Sequence, residues 1–433
     1  MVRGSCRGLG RSPSHPRHIL VINISSTAGK LRAMNAAEPL VDCATAQRQV
    51  LRVAMVTETY PPEVNGVAMT MGKMVEGLTR LNHRIQLIRP RQRPDDARVR
   101  NGQVEEVPVR GVPIPLYRDL RLGLPAAKEL FRLWSEQRPD VVHVATEGPL
   151  GWSAVRVAKQ LNIACCADFH TNFHSYSTHY GLGLMKRPIA RYLKAFHNQS
   201  DCTMVPTEEM LSQLAATGYR GLRVVSRGVD TRLFTPAKRA LALRASWKVG
   251  EGDPAVLHVG RIAPEKNLQL VFDVFDAMRV RSPRARLVLV GDGPQRAMYE
   301  KRYPEHIFAG TRVGEDLAAH SASGDLFLFP SLTETYGNVT IEAMASGLAV
   351  VAYGYAAARH HIRDGVNGVL VPPKNRTAFI DRACELIEDP AKIAECGVQA
   401  RATVERLDWE DVVYSLDDAY RDVIGKGSQG GGP

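Results

Sequence analysis

The sequence contains no apolar run approaching the roughly 20 residues that span a bilayer, so any membrane contact is expected to be peripheral. Its seven cysteines are odd in number and include no C-x-x-C pair, which argues against a disulfide framework or a cysteine zinc site and fits a reducing cytoplasm. No G-x-G-x-x-G follows the first predicted strand, so the fingerprint of a nicotinamide-binding unit is missing from its place. Nor is there an Asp-x-Asp that would bridge a diphosphate through a metal. Zinc-finger, helix-turn-helix and aromatic RNA-binding signatures are absent too. A nucleic-acid-binding protein would explain the net charge of +11, but nothing else supports that reading.

What is present describes a globular chain. At 433 residues, with 44% hydrophobic and 23% charged residues, it is long enough for two domains of ordinary size. The charge is unevenly placed. Residues 1–50 carry 7 basic and 2 acidic side chains, residues 51–235 carry 25 and 17, and residues 236–433 carry 24 and 26. An anionic partner or surface is therefore expected to meet the first half. Residues 1–48 are rich in arginine and serine without sustained periodicity and read as a disordered extension, with Met34 an alternative start. The glycine-rich residues 426–433 read as a disordered tail.

Between these ends, strand and helix cues alternate. Strands are expected near 51–57, 85–90, 107–115, 140–145, 163–169, 202–206 and 222–226, and again near 255–260, 286–291, 307–310 and 325–330. The alternation predicts an α/β fold with parallel, doubly wound sheets, which bind ligands beyond the carboxyl ends of their strands. Arg227-Gly-Val-Asp230, followed by Pro236, interrupts the pattern and reads as a connection. The expected domains are 49–230 and 231–407, followed by a final helix over 408–425.

Four stretches at predicted strand ends carry the chemistry. In PSLTETYGNVTIEAMASGLAVVAY, residues 330–353, a strand, a polar turn and a helix start put Glu334 at a sheet edge and Glu342 one to two turns into the helix. The backbone N–H groups of Tyr336, Gly337, Asn338 and Val339 then point from a helix N-terminus, where a phosphate is stabilised, and a carboxylate further along suits a ribose diol. Arg261 and Lys266 follow another strand five residues apart and make a diphosphate clamp, a guanidinium fork beside a point charge. Asn65-Gly66 precedes a helix at a position where glycine lets backbone approach a ligand. In DFHTNFHSY, His170, Asn172 and His174 follow a strand, but their spacing suggests no third ligand for zinc. Between residues 181 and 200 a helix would carry Met185, Ile189, Tyr192, Leu193 and Phe196 on one face, flanked by Lys186, Arg187, Arg191 and Lys194. It reads either as a face for anionic lipid or as a core-packed helix with a solvated side.

Glycine loop, strand-edge histidine, Arg-x4-Lys and Glu-x7-Glu occur in the order of a known family. Over about residues 50–425 the chain resembles the retaining glycosyltransferases of the GT-B fold with a Glu-x7-Glu signature, glycosyltransferase family 4. It looks most like bacterial GDP-mannose-dependent α-mannosyltransferases and the sulfoquinovosyl- and glucosyl-lipid transferases. Where many members have Gly-Gly, this chain has Asn65-Gly66.

The resemblance implies two Rossmann-like domains facing across a cleft, the first on the acceptor side and the second holding the donor. It implies transfer of a hexose from a nucleotide-diphosphate sugar to a hydroxyl, with retention, without metal or other cofactor. Gly66 would face the donor phosphates, His170 and Glu334 would meet the donor sugar at the transferring centre, and Glu342 would hold the ribose. Mannose from GDP-mannose and a lipid-linked acceptor are the expected substrates, with no nucleic acid partner. The expected location is cytoplasmic, peripheral on the inner face of the membrane. A UDP-sugar enzyme acting on diacylglycerol or a polysaccharide is the alternative. An epimerase on the same fold is disfavoured by the pairing of Arg-x4-Lys with Glu-x7-Glu.

Overall fold

Two parallel sheets organise the chain. The computed structural model describes residues 48–93, 95–114, 117–170 and 186–429. Nearly all of the expected N-terminal extension, Met185, the loop with Asn172 and His174, and residues 430–433 lie outside them. Residues 49–433 group as one compact unit.

The first sheet takes β1 (Arg52–Val56), β2 (Arg84–Pro90), β3 (Val99–Asn101) and β4 (Val104–Val109). After a separate hairpin of β5 (Gly111–Ile114) and β6 (Tyr117–Gly123) come β7 (Val141–Val144), β8 (Ala164–Asp168), β9 (Cys202–Val205) and β10 (Leu222–Val224). The order across the sheet is β10-β9-β8-β7-β1-β2-β4-β3, parallel except where β3 pairs with β4. The second sheet, from β11 (Ala255–Val259), β12 (Arg286–Val290), β13 (Ile307–Gly310), β14 (Leu326–Phe329), β15 (Ala349–Tyr353) and β16 (Gly368–Val371), runs β13-β12-β11-β14-β15-β16, all parallel.

Period-two alternation explains why these runs are apolar on both sides. In β1, Val53 and Met55 enter one core, while Ala54 and Val56 enter another on the opposite face. In β14, Leu326 and Leu328 face one core, and Phe327 and Phe329 the other. Helices cover both faces, the doubly wound arrangement expected. One predicted strand is divided. The run 107–115 leaves the first sheet after Val109, and residues 111–114 pair with β6 instead. The chain can fold back there because a Cβ on Gly111 would lie 2.7 Å from Pro90 Cβ.

The last helix, Trp409–Gln429, turns Val412, Val413, Leu416, Ala419, Tyr420 and Val423 into the core of the first sheet. It runs four residues past 425, since one glycine weakens a helix without necessarily ending it. The chain therefore passes between the sheets twice. The two crossings are joined where Val229 N–H donates to the Leu407 carbonyl at 2.8 Å.

The final helix lies close against the helix Gly66–Arg80 because Gly77 has no side chain. A Cβ there would meet Val413 Cγ2 at 2.3 Å. Gly77→Ala is expected to destabilise the protein by about 1–3 kcal/mol through overpacking, read as a lower denaturant midpoint with an unchanged slope.

Candidate active site

Adjacent pairing of β11 and β14, with Val256 opposite Leu326 and Leu257 opposite Phe327, brings their carboxyl ends side by side. Beyond β11 the chain gives Arg261 and then the short turn Pro264–Lys266. Beyond β14 it gives the polar turn 330–337 and the helix Asn338–Ala345. Asn267 Nδ2 donates to the Pro330 carbonyl at 3.2 Å and locks the two loops together. Lys266 Nζ sits 5.5 Å over the Phe329 ring and pairs with the Glu334 carboxylate, which also accepts from Ser331 Oγ at 2.7 Å. Arg261 pairs with Glu265, which is almost fully buried. Each expected clamp cation thus holds a carboxylate.

Gly337 adopts φ 89°, ψ 61°, a left-handed conformation that opens the helix, and no side chain caps its first turn. The N–H groups of this turn are the donors expected for an anion. Glu342 lies one turn further on. Among the described residues its carboxylate has no hydrogen-bond or ion-pair partner, and burial pushes it up to about 7. A half-buried carboxylate without donors is well suited to accept hydrogen bonds from a ligand.

The first sheet supplies the opposite wall. Asn65 caps the helix Gly66–Arg80 by accepting from Ala68 N–H at 2.9 Å. A Cβ on exposed Gly66 would meet nothing within 4 Å, so this glycine leaves open space without a conformational requirement. Thr70 Oγ1 donates to the Gly66 carbonyl at 2.8 Å and accepts from Asn338 Nδ2 at 3.4 Å, so two bonds connect Gly66 to the start of the second-sheet helix. Thr335 Oγ1 donates to the His170 carbonyl at 2.6 Å, and Lys73 Nζ lies 3.0 Å from Asp230 Oδ2. The structure thereby brings Gly66, His170, Glu334 and the helix start at Asn338 to one cleft.

His170 is held differently from the expectation that its ring meets the donor. Its Nε2 lies 2.8 Å from Asp168 Oδ2, and its Nδ1 accepts from Arg227 Nη2 at 3.2 Å. Asp168 also contacts His143 Nε2 at 3.1 Å, and His143 Nδ1 meets the Tyr420 hydroxyl at 2.6 Å. Burial would raise Asp168, but His143 and His170 outweigh it and hold the carboxyl well below its ordinary range. Burial lowers His170 and outweighs the raising effect of Asp168, and the Arg227 guanidinium adds to the lowering. At neutral pH the result is a neutral imidazole between a carboxylate and a guanidinium, with its carbonyl turned to the cleft.

Several of these partners left no local mark in the sequence. Arg227 stands in a stretch that reads as a connection, and Ser331, Thr335 and Tyr355, whose hydroxyl accepts from Glu334 N–H at 3.0 Å, look like ordinary loop polarity. Asp168 was visible beside His170 in DFH. In the helix Lys186–His197, Leu193 and Phe196 are buried, and Tyr192 stacks on Trp152 at 5.5 Å and donates to the Glu147 carbonyl at 2.6 Å. Its apolar face packs inward and leaves Arg187 and Arg191 outside. Among the described residues no three His, Cys, Asp or Glu side chains gather in a metal-holding group, and no helix is long and apolar enough to cross a membrane.

Residues 64–233 match the family model described as Glycosyltransferase Family 4, and residues 253–389 the one described as Glycosyl transferases group 1. A GDP-mannose-dependent alpha-mannosyltransferase of Corynebacterium glutamicum is 32% identical over 377 residues, 86% of this chain and 89% of the relative. The sulfoquinovosyl transferase SQD2 of Arabidopsis thaliana is 32% identical over 309 residues, 69% of this chain and 60% of the relative. Among solved structures, sucrose-phosphate synthase from Thermosynechococcus elongatus superposes with a TM-score of 0.72 at 19% identity, covering 87% of this chain and 100% of that one.

The raised Glu342 has a measurable consequence. A folded-state value above the unfolded one means that stability is lost as pH rises from 4.5 toward about 7. The ligand-free Glu342→Gln variant is expected to gain on wild type through that window by on the order of 2 kcal/mol, then hold a constant margin at higher pH. Denaturation series across the window check this. A margin independent of pH would show Glu342 to be ordinarily solvated.

Proposed function

The chain belongs to glycosyltransferase family 4 and is a hexosyltransferase of the GT-B fold that uses a nucleotide-sugar donor, and on that premise we propose that it is a retaining, metal-independent α-mannosyltransferase. GDP-mannose is the proposed donor and a hydroxyl of a membrane glycolipid or phospholipid the acceptor. The observation that carries the donor site is the convergence of Arg261, Lys266, an uncapped helix start and the unpartnered Glu342 at two neighbouring strand ends. The name of the C. glutamicum relative supports GDP-mannose.

In this reading the diphosphate joins Glu265 and Glu334 as a partner of the two cations. As the anomeric C–O bond breaks, negative charge grows on the leaving phosphate, where Arg261, Lys266 and the N–H groups of Gly337 to Val339 are already aimed. Glu342 accepts from the ribose diol. Glu334 meets hydroxyls of the mannose and stabilises positive charge on the ring. The acceptor oxygen bonds to the anomeric carbon on the face that the phosphate leaves, and its proton passes to a departing phosphate oxygen. Retention then requires no covalent enzyme intermediate. Gly66 gives the diphosphate room from the opposite wall. His170 positions that wall through Thr335, and its ring can turn to the sugar only by giving up Arg227. Closure about 227–236 would complete the site. The exposed Arg187 and Arg191 suit a peripheral position on an anionic, cytoplasmic membrane face.

A second reading keeps the mechanism but changes the sugar. The plant sulfoquinovosyl transferase shares the same 32% identity over 69% of this chain rather than 86%, and a UDP-sugar with a diacylglycerol-type acceptor is the competing assignment.

Binding and hydrolysis of GDP- and UDP-sugars, without divalent metal, test both. GDP-mannose is expected to bind wild type and to lose about 10- to 100-fold affinity in Glu342→Ala and in Lys266→Ala, each of which removes charge-assisted hydrogen bonds. Gly66→Ala should weaken binding with little change in thermal midpoint, because its methyl enters open space. Preference for a UDP-sugar would overturn mannose alone, and no nucleotide-sugar binding would overturn the donor site.

A further inference from the structure

Four arginines line an open depression of about 290 Å³ that the donor site does not use. Arg91, Arg93, Arg110 and Arg121 line it with Gly111 and Leu124. Among the described residues none of the four guanidinium groups has a hydrogen bond or an ion pair. Arg89, close by on β2, shows the contrast, since it holds Asp96 at 2.7 Å and Glu106 at 2.6 Å. Arg91, Arg93 and Arg110 are exposed and Arg121 is half-buried, so gathering them costs little, and together they make a concentrated positive patch that attracts an anion.

The backbone fixes this arrangement. Arg91 and Arg110 follow the neighbouring parallel strands β2 and β4. Arg91 N–H donates to the Val109 carbonyl and Leu124 N–H to the Arg110 carbonyl, both at 2.9 Å. Gly111, whose Cβ would strike Pro90, lets the β5–β6 hairpin fold over these strand ends, and the hairpin register sets Arg121 opposite Pro113. A hydrogen-bond chain links the residue between Arg91 and Arg93 to the start of the helix that faces the cleft. Gln92 Nε2 and Thr59 Oγ1 both donate to the Glu63 carboxylate, and Asn65, which caps the helix beginning at Gly66, donates through Nδ2 to Thr59 Oγ1 at 2.7 Å. The arginines therefore stand on the binding edge of the first sheet, beside the wall that faces the donor.

We propose that this four-arginine depression is an oxyanion site that takes the phosphate of a membrane lipid headgroup and so holds an anionic acceptor beside the donor. Guanidinium forks match phosphate oxygens in pairs, and the depression has room for a headgroup but not for acyl chains, which stay in the bilayer. The acceptor role rests on the transferase reading. The oxyanion site itself does not.

The test uses the full chain as wild type, Arg110→Ala/Arg121→Ala, and the control Arg187→Ala/Arg191→Ala from the exposed helix. Each is titrated with inorganic phosphate and floated with phosphatidylcholine vesicles with and without phosphatidylglycerol, and GDP-mannose affinity is measured in the same preparations. The Arg110/Arg121 variant is expected to lose phosphate binding, to bind phosphatidylglycerol vesicles about tenfold more weakly, and to keep its thermal midpoint and GDP-mannose affinity. The control should lose far less. Equal losses in both variants, or phosphate binding that survives in the Arg110/Arg121 variant, would overturn the site. Phosphate binding that needs Arg110 and Arg121, with vesicle binding that does not, would keep the oxyanion site and overturn the lipid as its source. Wild type that binds vesicles through the depression but not GDP-mannose would overturn the donor reading alone.

Discussion

Parallel pairing of β11 with β14 is the contact on which the donor half depends. Neither loop could hold a diphosphate by itself, since Arg261 and Lys266 leave from one strand and the uncapped helix from the other. A helix start, two cations and a desolvated carboxylate come together only because neighbouring parallel strands end at the same edge. The Asn267–Pro330 bond and the stacking of Lys266 on Phe329 then fix the loops to within a side chain's reach.

The donor cations are not short of countercharge. Lys266 rests on Glu334 and Arg261 on Glu265, so each cation has a carboxylate partner. Glu342 is the exception, and its raised carboxyl records the desolvation that it bears without a partner. Preorganisation of this kind lowers stability in exchange for complementarity to charge that develops during reaction.

A buried polar chain connects the C-terminal helix to the cleft. Tyr420 meets His143, His143 and His170 share Asp168, and His170 accepts from Arg227 at the first crossing between the sheets. The last helix therefore does more than cover an apolar face. It supports, through three buried side chains, the loop whose carbonyl receives Thr335 from the second sheet. The two crossings, bonded at Val229 and Leu407, put both connections in one place, where a hinge would need them.

Much of this was legible in the sequence because it is local. Apolar runs ending in glycine or proline marked the strands, the helix start after Gly337 followed from the turn, and the spacing of Arg261 with Lys266 and of Glu334 with Glu342 was readable residue by residue. The split after Val109 was not, since it depends on the contact of Gly111 with Pro90 from a strand about twenty residues earlier. Nor was the engagement of both His170 nitrogens, because Asp168 is two residues away in sequence while Arg227 arrives from the far end of the first sheet. The sequence by itself determined the elements, their alternation and the residue types at strand ends, all governed by periodicity and short-range sterics. Tertiary structure alone decided which charges meet a partner and which stand unpaired, because desolvation and Coulomb interactions depend on what packs around a group, not on where it stands along the chain.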